Sequence, residues 1–146
     1  MMPPIDPGHA ESTDRSLLKV GRKLGPEFRT RCQQPVRLSA TSEPMPDVSI
    51  VREKSYKSGH PTPEDTCLII EVSNTSLKDD LGRKKLMYAA AGIAEYWVVD
   101  LNARVLHVFA RPKGGDYMEH RIHEEKEAVQ SITLKPLKLK VAELLP

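Results

Sequence analysis

The sequence predicts an α/β domain, a central mixed β-sheet with helices packed on it. Three observations carry this expectation. Leu17, Val20 and Leu24 recur at helical spacing. Residues 48–51, 67–72 and 96–99 form short apolar runs of strand length. A second helical pattern, over residues 77–91, lies between the last two of these runs.

Taken in order, the first helix is expected over residues 13–24, with Ser12 or Thr13 as N-cap and Gly25-Pro26 as its stop. Phe28, Thr30 and Cys32 alternate with Arg29 and Arg31, a strand period that Val36 and Leu38 continue, giving one or two strands before a turn at residues 42–46. Asp47 opens a short strand on which Asp47, Ser49 and Val51 share one face, opposite Val48 and Ile50. Residues 55–65, with Gly59, Pro61 and Pro63, read as a loop. Residues 67–72 read as a central strand, because a strand buried on both faces loses its polar alternation.

Ser76 and Asp79 have the spacing of a capping box for a helix running to about Ala91. On it Leu77, Leu81, Lys84, Tyr88 and Ala91 share a face, and Gly92 ends it. Residues 96–99 form a second buried strand, closed by Asp100 and a turn at 101–103 into a strand at 105–109. Gly114-Gly115 turns the chain into an alternating strand at 117–122, and the tail over 129–145 reads as an edge segment with a last short turn.

A chain of 146 residues is of single-domain size, so residues 1–146 are expected to form one domain. No run approaches the roughly 18 apolar residues of a membrane span. Met1-Met2-Pro3-Pro4 shows no secretory signal and two cysteines make no disulfide framework, which points to a reducing, cytoplasmic setting. A net charge of +2 neither supports nor excludes a nucleic-acid partner. Attraction to DNA would come from local clustering, such as Lys19, Arg22, Lys23, Arg29, Arg31 and Arg37.

The chemistry rests on three residues. Glu71 lies inside an apolar run, where an ionised carboxylate needs a partner or a metal. Lys84 sits at the centre of the apolar helix face, and Asp47 supplies a second carboxylate one strand earlier. Acid, acid, lysine is the order of metal-assisted phosphodiester cleavage. Two carboxylates and a backbone carbonyl suit Mg²⁺, with Mn²⁺ as substitute. A lysine beside the ion orients water, and burial is expected to lower its pKa towards proton transfer. The PD-(D/E)XK pattern places lysine two residues after the second acid, where this chain has Ser73; the long stem of Lys84 can bring its amine to the same place from the helix.

Each residue also has a plainer reading. Glu71 alone fits the solvent face of an edge strand about as well, Asp47 after Pro46 fits a turn, and Lys84 fits a snorkelling surface lysine. Asp79 reads as a helix cap and Asp80 as a first-turn carboxylate complementing the dipole. The five histidines show no metal-ligand spacing, and Cys32 and Cys67 read as small buried residues. Tyr96 and Trp97 read as core, and Arg29 and Arg31 as a solvated face that could meet phosphate.

Beyond single residues, Pro46-Asp47-Val48-Ser49-Ile50-Val51, Leu68-Ile69-Ile70-Glu71-Val72-Ser73, the stretch from Asp80 to Ala89 and that from Ala91 to Asp100 together resemble the Uma-type restriction endonuclease family. That family belongs to the PD-(D/E)XK, restriction-endonuclease-like superfamily. Pro7-Gly8-His9-Ala10 and residues 33–38 are similar to it too. The resemblance implies a restriction-endonuclease-like core and a Mg²⁺-dependent DNA endonuclease. Asp47 and Glu71 would be metal ligands, the Val72 carbonyl a further ligand, and Lys84 the lysine moved into the helix. His9 matches a family position near a helix start, where it could approach the phosphate but reads more simply as capping or packing. The resemblance also implies an N-terminus shortened relative to the family. That shortening and Ser73 motivate a second reading, a catalytically inactive nucleic-acid-binding or assembly module; a hydrolase of other phosphate esters is a third. A homodimer is expected from the need to cut two strands.

Overall fold

The computed structural model describes residues 5–146, so the stretch over residues 1–4 in which no signal is legible lies outside the described residues. Helix α1 spans Pro7–Lys23 and starts well before the expected Ser12 or Thr13. Its N-cap is Asp6, whose Oδ1 accepts from the His9 amide at 2.9 Å, while Pro7 takes a first-turn position that needs no donor. Ser12, Thr13 and Ser16 lie buried on the inner face, with Ser12 Oγ donating to the Leu144 carbonyl at 2.6 Å. Small hydroxyl residues make up the first half of the buried stripe, so apolar spacing alone places the start too late.

Strands β1 (Phe28–Cys32), β2 (Val48–Arg52), β3 (Thr66–Ser73), β4 (Glu95–Asp100), β5 (Val105–Lys113) and β6 (Asp116–Glu124) form one six-stranded sheet in sequential order. It is mixed: β3 and β4 are parallel and the other neighbours antiparallel. A parallel pair needs a crossover, here made by helices α2 (Leu77–Leu81) and α3 (Arg83–Ala90). Between β1 and β2 the chain forms no second strand, only a loop with a bridge between Ser39 and Ser42.

The expected single helix over 77–91 is thus two. Gly82 breaks it with φ −115° and ψ −98°, and a Cβ there would meet the Lys78 carbonyl at 2.9 Å. The expected capping box does not form either. Ser76 Oγ donates to Asp80 at 2.7 Å, and Asp79 pairs with Arg83. Gly92 does end α3, at φ +85°, where a side chain would be strained.

Strand alternation divides the core in two. Leu68, Ile70, Val72, Trp97, Val99 and Leu106 face α1 and the tail, whereas Ile69, Tyr96, Val98 and Phe109 face α3 and Tyr117. The tail is no edge of the main sheet. Strands β7 (Ala128–Gln130) and β8 (Lys138–Lys140) pair with each other, and Leu134, Leu137, Leu139, Val141 and Leu144 close over the sheet. Glu95, fully buried on β4, accepts from Trp97 Nε1 (2.8 Å), Ser131 Oγ (2.7 Å), Thr133 Oγ1 (2.8 Å) and the amides of Ile132 (3.2 Å) and Thr133 (3.0 Å). That one carboxylate pins the tail to the sheet.

Glu95→Ala leaves several buried donors unpaired and is expected to cost more than about 3 kcal/mol in urea unfolding. Glu11→Ala, which removes only the exposed pair with Arg15, is expected to cost less than about 1 kcal/mol.

Candidate active site

The β2–β3 register sets Val48 opposite Ile70, so Asp47, one residue before β2, falls opposite Glu71. Their contact is reciprocal. The Asp47 amide donates to Glu71 Oε1 at 2.9 Å, and the Val72 amide donates to Asp47 Oδ2 at 2.8 Å. Glu71 shares a face with Ile69 and points towards α3, where its Oε2 lies 3.3 Å from Lys84 Nζ and 3.4 Å from the Tyr88 hydroxyl. At 3% exposure it is no solvent-edge residue. From the first turn of α1, His9 Nε2 comes within 3.4 Å of Asp47 Oδ2.

The structure therefore brings Asp47, Glu71 and Lys84 together, and adds residues that the sequence does not mark. Asp80, read as a first-turn carboxylate, is instead 1% exposed. It accepts from Ser73 Oγ and Ser76 Oγ, and its Oδ1 lies 3.1 Å from Lys84 Nζ. Lys84 thus bridges Glu71 and Asp80, its side chain 30% exposed. Ser73 follows Glu71 on the same face and is short enough for Asp80 to occupy the space beside it. Only the spacing of Asp80 and Lys84, one helical turn apart, hints at this in the sequence.

Burial, then the Asp47 charge, pushes the Glu71 carboxyl up to about 7, against the pull of Lys84 and the Asp47 amide. For Lys84 burial works the other way, but Glu71 and Asp80 outweigh it and the ammonium is held above its usual pKa. This corrects the expectation of a lysine lowered towards proton transfer: two carboxylates touch it, so it stays charged near neutral pH. Tyr88 is raised by burial and by Glu71, which keeps its hydroxyl protonated.

The model of the Uma2 family, described as "Putative restriction endonuclease", matches residues 1–142. The chain belongs to the Uma2 family. Among solved structures it is similar to a putative nuclease belonging to DUF820 from Anabaena variabilis, with 15% identity and a TM-score of 0.74 over 99% of this chain and 84% of that one. That likeness shows the shared nuclease-like α/β fold. No curated protein matches the chain by sequence.

In this Uma2 chain the donor set fits a hard divalent cation. The Val72 amide points at Asp47, and a strand residue turns its N–H and C=O to the same edge, so the Val72 carbonyl faces Asp47 as well. Two carboxylates and one carbonyl suit Mg²⁺, which keeps several waters and takes substrate phosphate oxygens. Among the described residues no three His, Cys, Asp or Glu side chains gather into a complete protein cage. Burial and Asp47 leave Glu71 short of positive charge, the deficit a cation would relieve.

Other residues lie apart from this centre. Tyr96 and Trp97 are buried core, and Cys32 and Cys67 are free, half-buried thiols raised by burial. Strand register, not sequence spacing, joins His107 to His120 at 2.9 Å, and burial lowers both. No helix among the described residues is long and apolar enough to cross a membrane.

Because the folded Glu71 pKa of about 7 exceeds its ordinary 4.5, its contribution is fully present below about 4.5 and is lost as pH rises through 7. Between about pH 5 and about pH 8, urea unfolding in chelator is therefore expected to lose roughly 2 kcal/mol or slightly more of stability from this group. Glu71→Gln should flatten that difference. An unchanged pH profile in the variant would remove Glu71 as its source.

Proposed function

We propose that this Uma2 protein is a Mg²⁺-dependent DNA endonuclease that hydrolyses phosphodiester bonds. The observation that carries the reading is the paired Asp47 and Glu71 carboxylates, Glu71 held by the Asp47 amide and Asp47 by the Val72 amide, beside a charged Lys84. Asp47, Glu71 and the Val72 carbonyl are the groups that would hold the ion. When bound, Mg²⁺ supplies a water of lowered pKa and an offset for charge growing on the phosphoryl oxygens.

The chain's own residues do the rest. Lys84, anchored by Asp80 and Glu71, presents a partly exposed ammonium that orients water and balances negative charge in the transition state. Tyr88 aims the Glu71 carboxylate, and His9 braces Asp47 from α1. Two such sites in a symmetric homodimer would cut both strands of a duplex.

Plasmid cleavage with Mg²⁺ or Mn²⁺ tests this. Asp47→Asn, Glu71→Gln and Lys84→Ala are each expected to lower the rate at least about 10²-fold. Calorimetry should show Mn²⁺ binding lost in Asp47→Asn. Wild-type protein that binds DNA equally in chelator yet cleaves none with either metal would instead be a catalytically inert binding module. Cleavage confined to nucleotide or other phosphate-ester substrates would move the activity off DNA.

A further inference from the structure

The sheet face that carries Glu71 continues outward to the edge strand β1, and there it is lined with cations. Register sets Arg31 opposite Ser49 and Ser49 opposite Ile69, two residues before Glu71, so Arg31 lies on the face of the carboxylate site. Thr30, between the two arginines, turns the other way, towards Gly21 of α1. The run also starts beside the site. The Gln33 amide donates to the Asp47 carbonyl at 3.0 Å, and Arg31 and Arg29 follow along β1 in steps of about 7 Å.

Tyr56 folds over this row from the loop after β2. Its ring centroid lies 5.5 Å from each of Arg29 Cζ, Arg31 Cζ and Lys54 Nζ, and its hydroxyl donates to the Arg52 carbonyl at 2.6 Å. Two of the three cations have acid partners: Arg29 is bidentate to Glu53 at 2.8 Å, and Lys54 lies 2.9 Å from Asp65. Arg31 has none among the described residues. Among the described residues its guanidinium makes one hydrogen bond, a long 3.5 Å contact to the Pro35 carbonyl. Burial and then Arg29 lower its pKa, which marks a guanidinium partly stripped of water beside a like charge.

A planar fork of donors, half-buried next to another cation and lacking a carboxylate, is satisfied by an anion with several oxygens. We propose that Arg31, with Arg29 and Tyr56 beside it, is an anchoring site for the DNA phosphate backbone, holding the strand that runs on into the Asp47 and Glu71 site. A polymer fits better than a free anion, because three cations cluster round Tyr56 at the sheet edge on the side that carries the acids, and DNA presents phosphates at regular intervals. This rests on the nuclease reading, and DNA binding in chelator separates the two.

The test is fluorescence anisotropy of a labelled duplex in EDTA across a salt series, with thermal melting of each variant as a folding check. Arg31→Gln is expected to weaken binding roughly tenfold and to make the slope of log affinity against log salt shallower by about 0.9, the value of one phosphate contact. Glu53→Gln frees Arg29 and is expected to tighten binding and steepen that slope. Wild-type binding with both variants superimposed on it would overturn the anchoring site and leave the nuclease reading standing. No wild-type binding to any duplex in EDTA would overturn the anchoring site too, while plasmid cleavage with Mg²⁺ decides the nuclease reading separately.

Discussion

The site depends on one reciprocal contact, in which the Asp47 amide holds Glu71 while Asp47 itself holds the amide of Val72. Two carboxylates in proximity repel each other, and here the repulsion is met by backbone donors that cannot move without shifting the sheet. The contact exists in one register of β2 on β3. That register is set by Val48 and Ile50 packing with Leu68 and Ile70 on the opposite face. A slip of one residue would turn the apolar set outward and part the acids. The hydrophobic core and the polar site therefore specify the same alignment from two sides of one sheet.

Around that contact the charges are arranged so that none is isolated. Lys84 lies between Glu71 and Asp80, and Asp80 is satisfied on its other oxygen by Ser73 and Ser76. The break at Gly82 puts Asp80 and Lys84 on two separate short helices that still meet over β3. Lys84 comes from the helix, and Ser73 on the strand, two residues after Glu71, supports it through Asp80. Membership of the Uma2 family and a nuclease-like fold shared at 15% identity agree with a backbone fixed by pattern more than by particular side chains.

Much of this was legible in the chain. Apolar runs locate β2, β3 and β4, and the oddity of Glu71 within such a run points to the carboxylate pair. What escaped shares a physical cause: it rests on polar groups whose partners lie far away in sequence. Asp6 caps α1 where the apolar period is silent. Asp80 looks like a surface carboxylate until Ser73 and Lys84 converge on it. Tyr88 looks like core until its hydroxyl meets Glu71, and the tail's spaced aliphatics do not disclose that Glu95 draws them over the sheet.

The tail has a consequence for how the chain is made. One face of the sheet, with Leu68, Ile70 and Trp97, is covered largely by Leu134, Leu137, Leu139 and Leu144, and Ser12 near the start of α1 bonds to the Leu144 carbonyl. Until those late residues have left the ribosome, that apolar face lies bare and α1 lacks part of its seat. The nascent chain cannot close this core until residues 134–144 have emerged, and in that interval the bare face is open to aggregation.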